Sequence, residues 1–302
     1  MHFADRLAAL VEERRSRVVL GLDPDPARLW PEAVERLGGT ASEGHLTRIR
    51  TAEAVTEHCR AAIVAAGPAC VAAKLQLACF ERLGAPGWEA LEQVVAIARD
   101  HALLVIADGK RGDVPVTASA YAQALVGETP GPFGAVAGLG ADAFTANPLL
   151  GRDALEPLVE AAAAAGAGCF VLVRSSNPGA AELQDQGAPP LHERLAELVA
   201  EMGSTRLGDS GLSSVGAVAG ATRPDHLGRL RRLMPKAILL LPGVGAQGGS
   251  VEELGAAFEP HPAAGLVTAS RSIVDAYAAR GGDPAAAAAA AAEELRASAW
   301  NL

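Results

Sequence analysis

The chain has 302 residues, half of them hydrophobic, with a formal charge of −9 and an isoelectric point near 5.3. A sizeable core is readily buried at this length, 20% charged residues with positive mean hydropathy argue against global disorder, and the acidic balance without a lysine-rich run argues against nucleic acid as a partner. Of 26 lysines and arginines only Lys74, Lys110 and Lys236 are lysines; lysine is a compact charge that can release its proton, which arginine effectively cannot, so each retained ammonium draws attention.

In chain order, Asp5, Arg6 and the stretch Glu12 to Arg17 are too charged for a secretory leader. Eight short apolar runs follow: Arg17–Asp23, Cys70–Leu75, Ala102–Asp108, Ala141–Asn147, Gly168–Arg174, Ser213–Ala219, Ala237–Pro242 and Gly265–Ser270. Most are continuous rather than alternating, as in strands of a parallel sheet buried on both faces. Helical spacing fills the gaps, in Ile49, Ala52, Val55, Cys59, Ile63 and Ala66, in Trp88, Leu91, Val95 and Ala98, and in Leu191, Leu195, Leu198 and Met202. The triad Arg229, Arg231 and Arg232 reads as a basic patch on one helix face. A final helix over about 283–298 takes Asp283 as its N-cap and Pro284 in its first turn. The run Ala285–Ala292 behind it reads as good helix former and no more.

Eight βα units predict a single (β/α)8 TIM barrel with insertions in its loops. One domain would span 1–302, with a barrel core of about 15–275 and insertions at about 24–46, 126–140 and 175–212, where glycine, proline and loop length concentrate. An open doubly wound sheet is the alternative; the strand count and the lack of a G-x-G-x-x-G after the first strand favour the barrel. The longest uncharged apolar run, Ala161–Val173, is too short to span a bilayer. The four cysteines show no C-x-x-C spacing and fit a reduced, cytoplasmic core. The seven histidines show no paired spacing, and no metal site is expected.

Chemistry in a barrel of this kind sits at the C-terminal strand ends. Those ends carry Asp23, then Lys74, then Asp108-Gly109-Lys110-Arg111-Gly112-Asp113, then Arg174-Ser175-Ser176-Asn177, then the glycine-rich Pro242-Gly243-Val244-Gly245-Ala246-Gln247-Gly248-Gly249, and last Arg271. Asp108 and Lys110 are two apart, so an extended strand end points both the same way. With Asp23, Lys74 and Asp113 they compose an alternating carboxylate–ammonium network that would keep Lys110 protonated, a general acid for a developing carbanion. A structural ring of ion pairs closing the barrel top is the bland alternative. The glycine loop, Gln247 and Arg271 suit phosphate, through close backbone N–H groups and a bidentate guanidinium.

These stretches resemble the orotidine 5'-phosphate decarboxylase family, its longer bacterial subgroup in particular. The carriers are Asp108-Gly109-Lys110-Arg111-Gly112-Asp113-Val114, similar to that family's D-x-K-x-x-D signature, together with Leu20-Gly21-Leu22-Asp23-Pro24, Val173 to Gly179, Gly220-Ala221-Thr222-Arg223-Pro224 and Pro242 to Gly249. The resemblance spans roughly residues 15 to 275. It implies decarboxylation of orotidine 5'-phosphate to uridine 5'-phosphate and CO2, the last step of de novo pyrimidine nucleotide synthesis, by a cytoplasmic homodimer needing neither metal nor organic cofactor. Residue by residue, it implies that Asp23 and Lys74 bind ribose hydroxyls. Asp108 and Lys110 face the substrate carboxylate and the carbon that loses it, with Lys110 delivering the proton. Asp113, beside Val114 and Thr117, reaches the ribose in the partner's site; Ser176 contacts the pyrimidine; Gln247 and Arg271 hold the phosphate. Two rivals remain: a magnesium-dependent branch with the same signature, which places a glutamate where this chain has Lys74, and a non-catalytic nucleotide-binding barrel.

Overall fold

The computed structural model describes residues 1–38, 44–245 and 247–302. All eight expected strands form: β1 Val18–Leu22, β2 Ala72–Gln76, β3 Leu104–Arg111, β4 Ala143–Ala146, β5 Gly168–Arg174, β6 Ser213–Ala219, β7 Ala237–Pro242 and β8 Gly265–Ala269. They close in the order β1-β8-β7-β6-β5-β4-β3-β2, every pair parallel. The closure leaves no sheet edge, and it explains the continuous apolar runs, because each strand faces the barrel interior on one side and a helix on the other. The longer helices are α1 Phe3–Arg14, α2 Gly44–Ala66, α3 Ala85–Asp100, α4 Pro115–Val126, α5 Arg152–Ala164, α6 Leu191–Gly203, α7 Pro224–Leu233 and α8 Pro284–Trp300.

The interior is filled from below. Val19, Ala72, Ile106, Phe170 and Leu266 of the strands pack with Phe3, Leu7 and Val11 of α1, which plugs the N-terminal end of the barrel. Phe3 meets Phe170 edge to face at 5.9 Å. Gly168 permits this approach: a Cβ there would lie 2.5 Å from the Phe3 ring. Truncating a buried phenylalanine of this kind costs about 3–5 kcal/mol. With the lower barrel packed solid, space for a ligand remains at the C-terminal mouth.

Other sequence readings are sharpened or corrected. The run Ala285–Ala292 lies in α8, whose N-cap Asp283 accepts the Ala286 N–H at 2.7 Å with Pro284 at the first position. Buried Ala288 and Ala292 let the helix sit against the barrel core. Within 126–140, Glu128–Thr129 pairs antiparallel with Val136–Ala137. The stretch 175–212 is not all insertion, since it holds α6, the helix joining β5 to β6. In 24–46, Trp30 is buried and its indole donates to the Val274 carbonyl at 3.0 Å; 39–43 lie outside the described residues. Trp88 is a half-exposed member of its stripe, whereas Leu91, Val95 and Ala98 are buried.

The arginine triad is not a surface patch. Arg231 is buried and donates to the carbonyls of Met234, Ala237, Ala257 and Ala264 at 2.7–2.9 Å, while Arg229 pairs outside with Glu193 at 2.8 Å. Cys59, Cys70 and Cys169 are buried free thiols and Cys79 is half-buried. No helix among the described residues is long and apolar enough to cross a membrane.

Candidate active site

The charge cluster converges at the ends of β1, β2 and β3. Barrel stagger sets Gly21 beside Lys74, and Gln76 beside Asp108. Asp108 is the hub: Lys74 Nζ lies 2.7 Å from its Oδ2, Lys110 Nζ 2.7 Å from its Oδ1, and the Thr145 hydroxyl donates to Oδ1 at 2.8 Å. Asp23 stands farther off, 3.8 Å from Lys74 Nζ. Lys74 and Asp108 are buried, whereas the Lys110 side chain keeps 36% of its surface open to the mouth.

Lys110 reaches its place by a route that alternation along an extended strand does not describe. The pairing of β3 with β4 shifts register between Ala107 and Arg111, and Lys110 takes φ +43°, in the left-handed region that non-glycine residues seldom occupy. Its amide donates to Thr145 Oγ1 at 2.9 Å. One threonine thus holds both the lysine backbone and the carboxylate that the lysine meets, and such local strain is common where a side chain must be aimed.

The environment fixes the charges. Burial alone would raise the Asp108 carboxyl, but Lys74 and then Lys110 outweigh it and hold it well below the usual carboxylate range. Burial likewise depresses the Lys74 ammonium, and the charges of Asp108 and Asp23 more than reverse this, leaving it raised. Asp108 is therefore a carboxylate and Lys74 an ammonium at neutral pH.

Above the cluster opens a cavity of about 190 Å³ lined by Asp23, Lys74, Gln76, Asp108, Lys110, Ser175, Ser176, Gln247, Ser270 and Arg271, with Val218, Leu240 and Thr268 among its other walls. One end is charged by the lysines and aspartates. The other is formed by the loop after β7 and by Arg271. In that loop Gly243, Gly245 and Gly248 all have positive φ, and the Gly249 N–H closes the turn on the Gly243 carbonyl at 3.0 Å. Glycine is required at Gly249, where a Cβ would sit 2.8 Å from that carbonyl oxygen. Ala246 of this loop lies outside the described residues. A wider recess shares Ser176, Gln247 and Arg271 with the cavity and adds Arg174 and Arg223.

Seven of the expected site residues, Asp23, Lys74, Asp108, Lys110, Ser176, Gln247 and Arg271, line one cavity. Asp113, Val114 and Thr117 do not line it. Asp113 therefore stands outside the five-membered network expected from the strand ends; its Oδ1 accepts the Val114 N–H at 2.7 Å, and Val114 is 55% exposed. Sequence reasoning missed Thr145, although a hydroxyl near the end of an apolar strand was there to be noticed. It also missed a cluster in which Asp185, His192 and His226 bring potential ligand atoms within 4.8 Å of one another; separations of 7 and 34 residues in the sequence gave no signal of it.

A model of the orotidine 5'-phosphate decarboxylase / HUMPS family matches residues 16–291. The chain is 41% identical over 282 residues to the orotidine 5'-phosphate decarboxylase of Rhodopirellula baltica, covering 92% of this chain and 89% of that one. Among solved structures it is similar to Leishmania donovani OMP decarboxylase, at 30% identity and a TM-score of 0.71 over 99% of both chains. It is also similar to Leishmania donovani UMP synthase, at 31% identity and a TM-score of 0.72, there covering 98% of this chain but only 56% of the longer one.

Proposed function

The chain belongs to the orotidine 5'-phosphate decarboxylase / HUMPS family, and on that premise we propose how its pocket converts orotidine 5'-phosphate to uridine 5'-phosphate and CO2, the last step of pyrimidine nucleotide synthesis. The observation that carries the reading is the Lys74–Asp108–Lys110 chain of contacts at 2.7 Å, with its outer ammonium facing the cavity. Loss of CO2 from C6 leaves an electron pair that the ring cannot delocalise well. A fixed ammonium beside that carbon stabilises the developing charge and then quenches it by giving up a proton. Lys110 does both, and Asp108, ionised and gripped by two lysines and Thr145, holds it in place.

The rest of the pocket binds. Asp23 and Lys74 take the ribose hydroxyls, Ser176 the pyrimidine, and Gln247 with Arg271 and the glycine loop the phosphate. The phosphate is remote from the reacting carbon, so its binding energy serves to organise the site around the ring. Asp113, with Val114 and Thr117, completes the ribose site of a second copy. In support, the loops carrying Gly112 and Asn147 touch, since a Cβ on Gly112 would lie 2.7 Å from the Asn147 carbonyl oxygen. Around them Val114, Val116, Leu149 and Leu150 are exposed, an apolar surface suited to a homodimer. The reaction is read as cytoplasmic and free of metal and organic cofactor: the cavity carboxylate Asp108 is already neutralised by lysines, and Lys74 occupies the strand end where the magnesium-dependent branch would need a carboxylate.

Chelator-treated protein is expected to turn over orotidine 5'-phosphate, followed by ultraviolet absorbance. No turnover would refute the reading, and turnover only after added magnesium would favour the metal-dependent branch. Mixing inactive Asp113→Ala and Lys110→Ala proteins should restore activity in heterodimers; its failure to return would place Asp113 outside the shared site.

A further inference from the structure

Ser176 reaches the cavity from the loop after β5, and loops of this kind are not rigid by themselves. Here the peptide is held from several sides. The Gln184 side-chain oxygen accepts the Ser175 N–H at 2.8 Å, and the Thr222 hydroxyl donates to the Ser176 carbonyl at 3.0 Å. Gly220 is packed so closely that a Cβ would stand 2.8 Å from Ser176 Cα. Asp185, next to Gln184, receives the buried Arg174 on both oxygens, at 3.3 and 2.9 Å, and Arg223 lies 3.5 Å away. Arg174 immediately precedes Ser175 and also donates to its carbonyl at 2.6 Å. From α6, His192 Nδ1 faces the Gln184 carbonyl at 2.8 Å and Asp185 at 3.2 Å. Segment 184–185 is thereby tied to β5, to α6 and to the loop after β6.

We propose that Gln184 and Asp185 are positioning residues that hold the Ser175–Ser176 peptide so that Ser176 faces the ring of the bound nucleotide. Neither side chain touches the substrate. The proposal rests on the reading of Ser176 as the pyrimidine contact given above. It also accounts for the Asp185, His192 and His226 cluster without a metal. Two guanidinium groups occupy the Asp185 carboxylate, and Arg223 Nη2 lies 2.9 Å from His226 Nε2, so cations already stand where a metal ion would have to bind.

The test compares binding of uridine 5'-phosphate with binding of ribose 5-phosphate, which lacks the ring, by calorimetry. In Gln184→Ala and in Asp185→Asn the affinity for uridine 5'-phosphate is expected to fall about tenfold, while that for ribose 5-phosphate changes less than twofold. Gln184→Glu, which keeps an acceptor for the Ser175 N–H, should stay within twofold of wild type for both. Equal losses for the two ligands, no loss for either, or a Gln184→Glu protein as weak as Gln184→Ala would overturn the proposal. Ser176→Ala separates the two layers of the argument. If it leaves the gap between the ligands intact, the ring contact fails and the positioning role with it; if it narrows the gap and Gln184→Ala does not, the positioning role alone fails. A melting temperature raised by Zn²⁺ in wild type but not in Asp185→Asn would overturn the ion-pair account of the cluster.

Discussion

The two ends of the barrel hold cations by opposite means. At the mouth, Lys74 and Lys110 share the carboxylate of Asp108, and each makes a single 2.7 Å contact with it. At the floor, Arg231 spreads its guanidinium over four backbone carbonyls from the segments around the starts of β7 and β8, and burial lowers it to about 10. Arg17 lies at the same end, between the rings of Phe258 and Trp300 at 4.3 and 5.2 Å. Carbonyls and ring faces suit a broad planar cation that keeps its proton. A carboxylate beside an open cavity suits a point charge that can part with one. The scarcity of lysine in the composition thus gains a meaning from position, because two of the three lysines stand at the mouth while Lys236 is exposed.

This contrast can be broken first at Asp108. Asp108→Asn leaves two ammonium groups without their shared counter-charge, and turnover is expected to fall by about 10³–10⁴. A loss below tenfold would show that the cluster is only a structural ring. Less drastic is the effect expected around His58, a buried imidazole that meets burial with neither remedy. Its Nδ1 accepts the Trp30 N–H at 3.1 Å, and burial lowers it to about 4. Below pH 6.5 the unfolded chain takes up a proton that the native chain refuses. The contribution of this imidazole is therefore full well above pH 6.5 and is lost as pH falls toward 4, by roughly 3 kcal/mol in all. Urea midpoints across that window should show the decline, and His58→Gln should flatten it between pH 6.5 and 5; an unchanged slope would assign it elsewhere. The smallest effect tests the floor. Arg231→Lys offers three N–H donors to four carbonyls and should cost about 2 kcal/mol of stability with kcat unchanged in the folded fraction. A drop in kcat would show that the floor takes part in the chemistry.

How far the sequence could be read follows from how local each signal is. The eight strands were legible because a strand buried on both sides writes its environment as one uninterrupted apolar run, as in Ala237–Pro242. The Glu128–Thr129 and Val136–Ala137 pair was not, because two-residue strands among glycines have no period to detect. Asp108 and Lys110 were legible from spacing and family resemblance, yet the backbone turn at Lys110 and its support by Thr145 depend on a register shift with the next strand. Arg231 was misread because helical spacing places it beside Arg229 and Arg232 but says nothing of the carbonyls that close over it. The Asp185, His192 and His226 cluster needs two crossovers of the fold to assemble.

The account turns on Lys110 as proton donor, and one variant tests it most directly. In Lys110→Ala, decarboxylation of orotidine 5'-phosphate and affinity for uridine 5'-phosphate should part company. Turnover is expected to fall by at least about 10⁴, while the nucleotide still binds through the Gln247 and Arg271 end of the pocket. Turnover within tenfold of wild type would contradict the assignment, and the two lysines at the mouth would then be no more than counter-charges to Asp108.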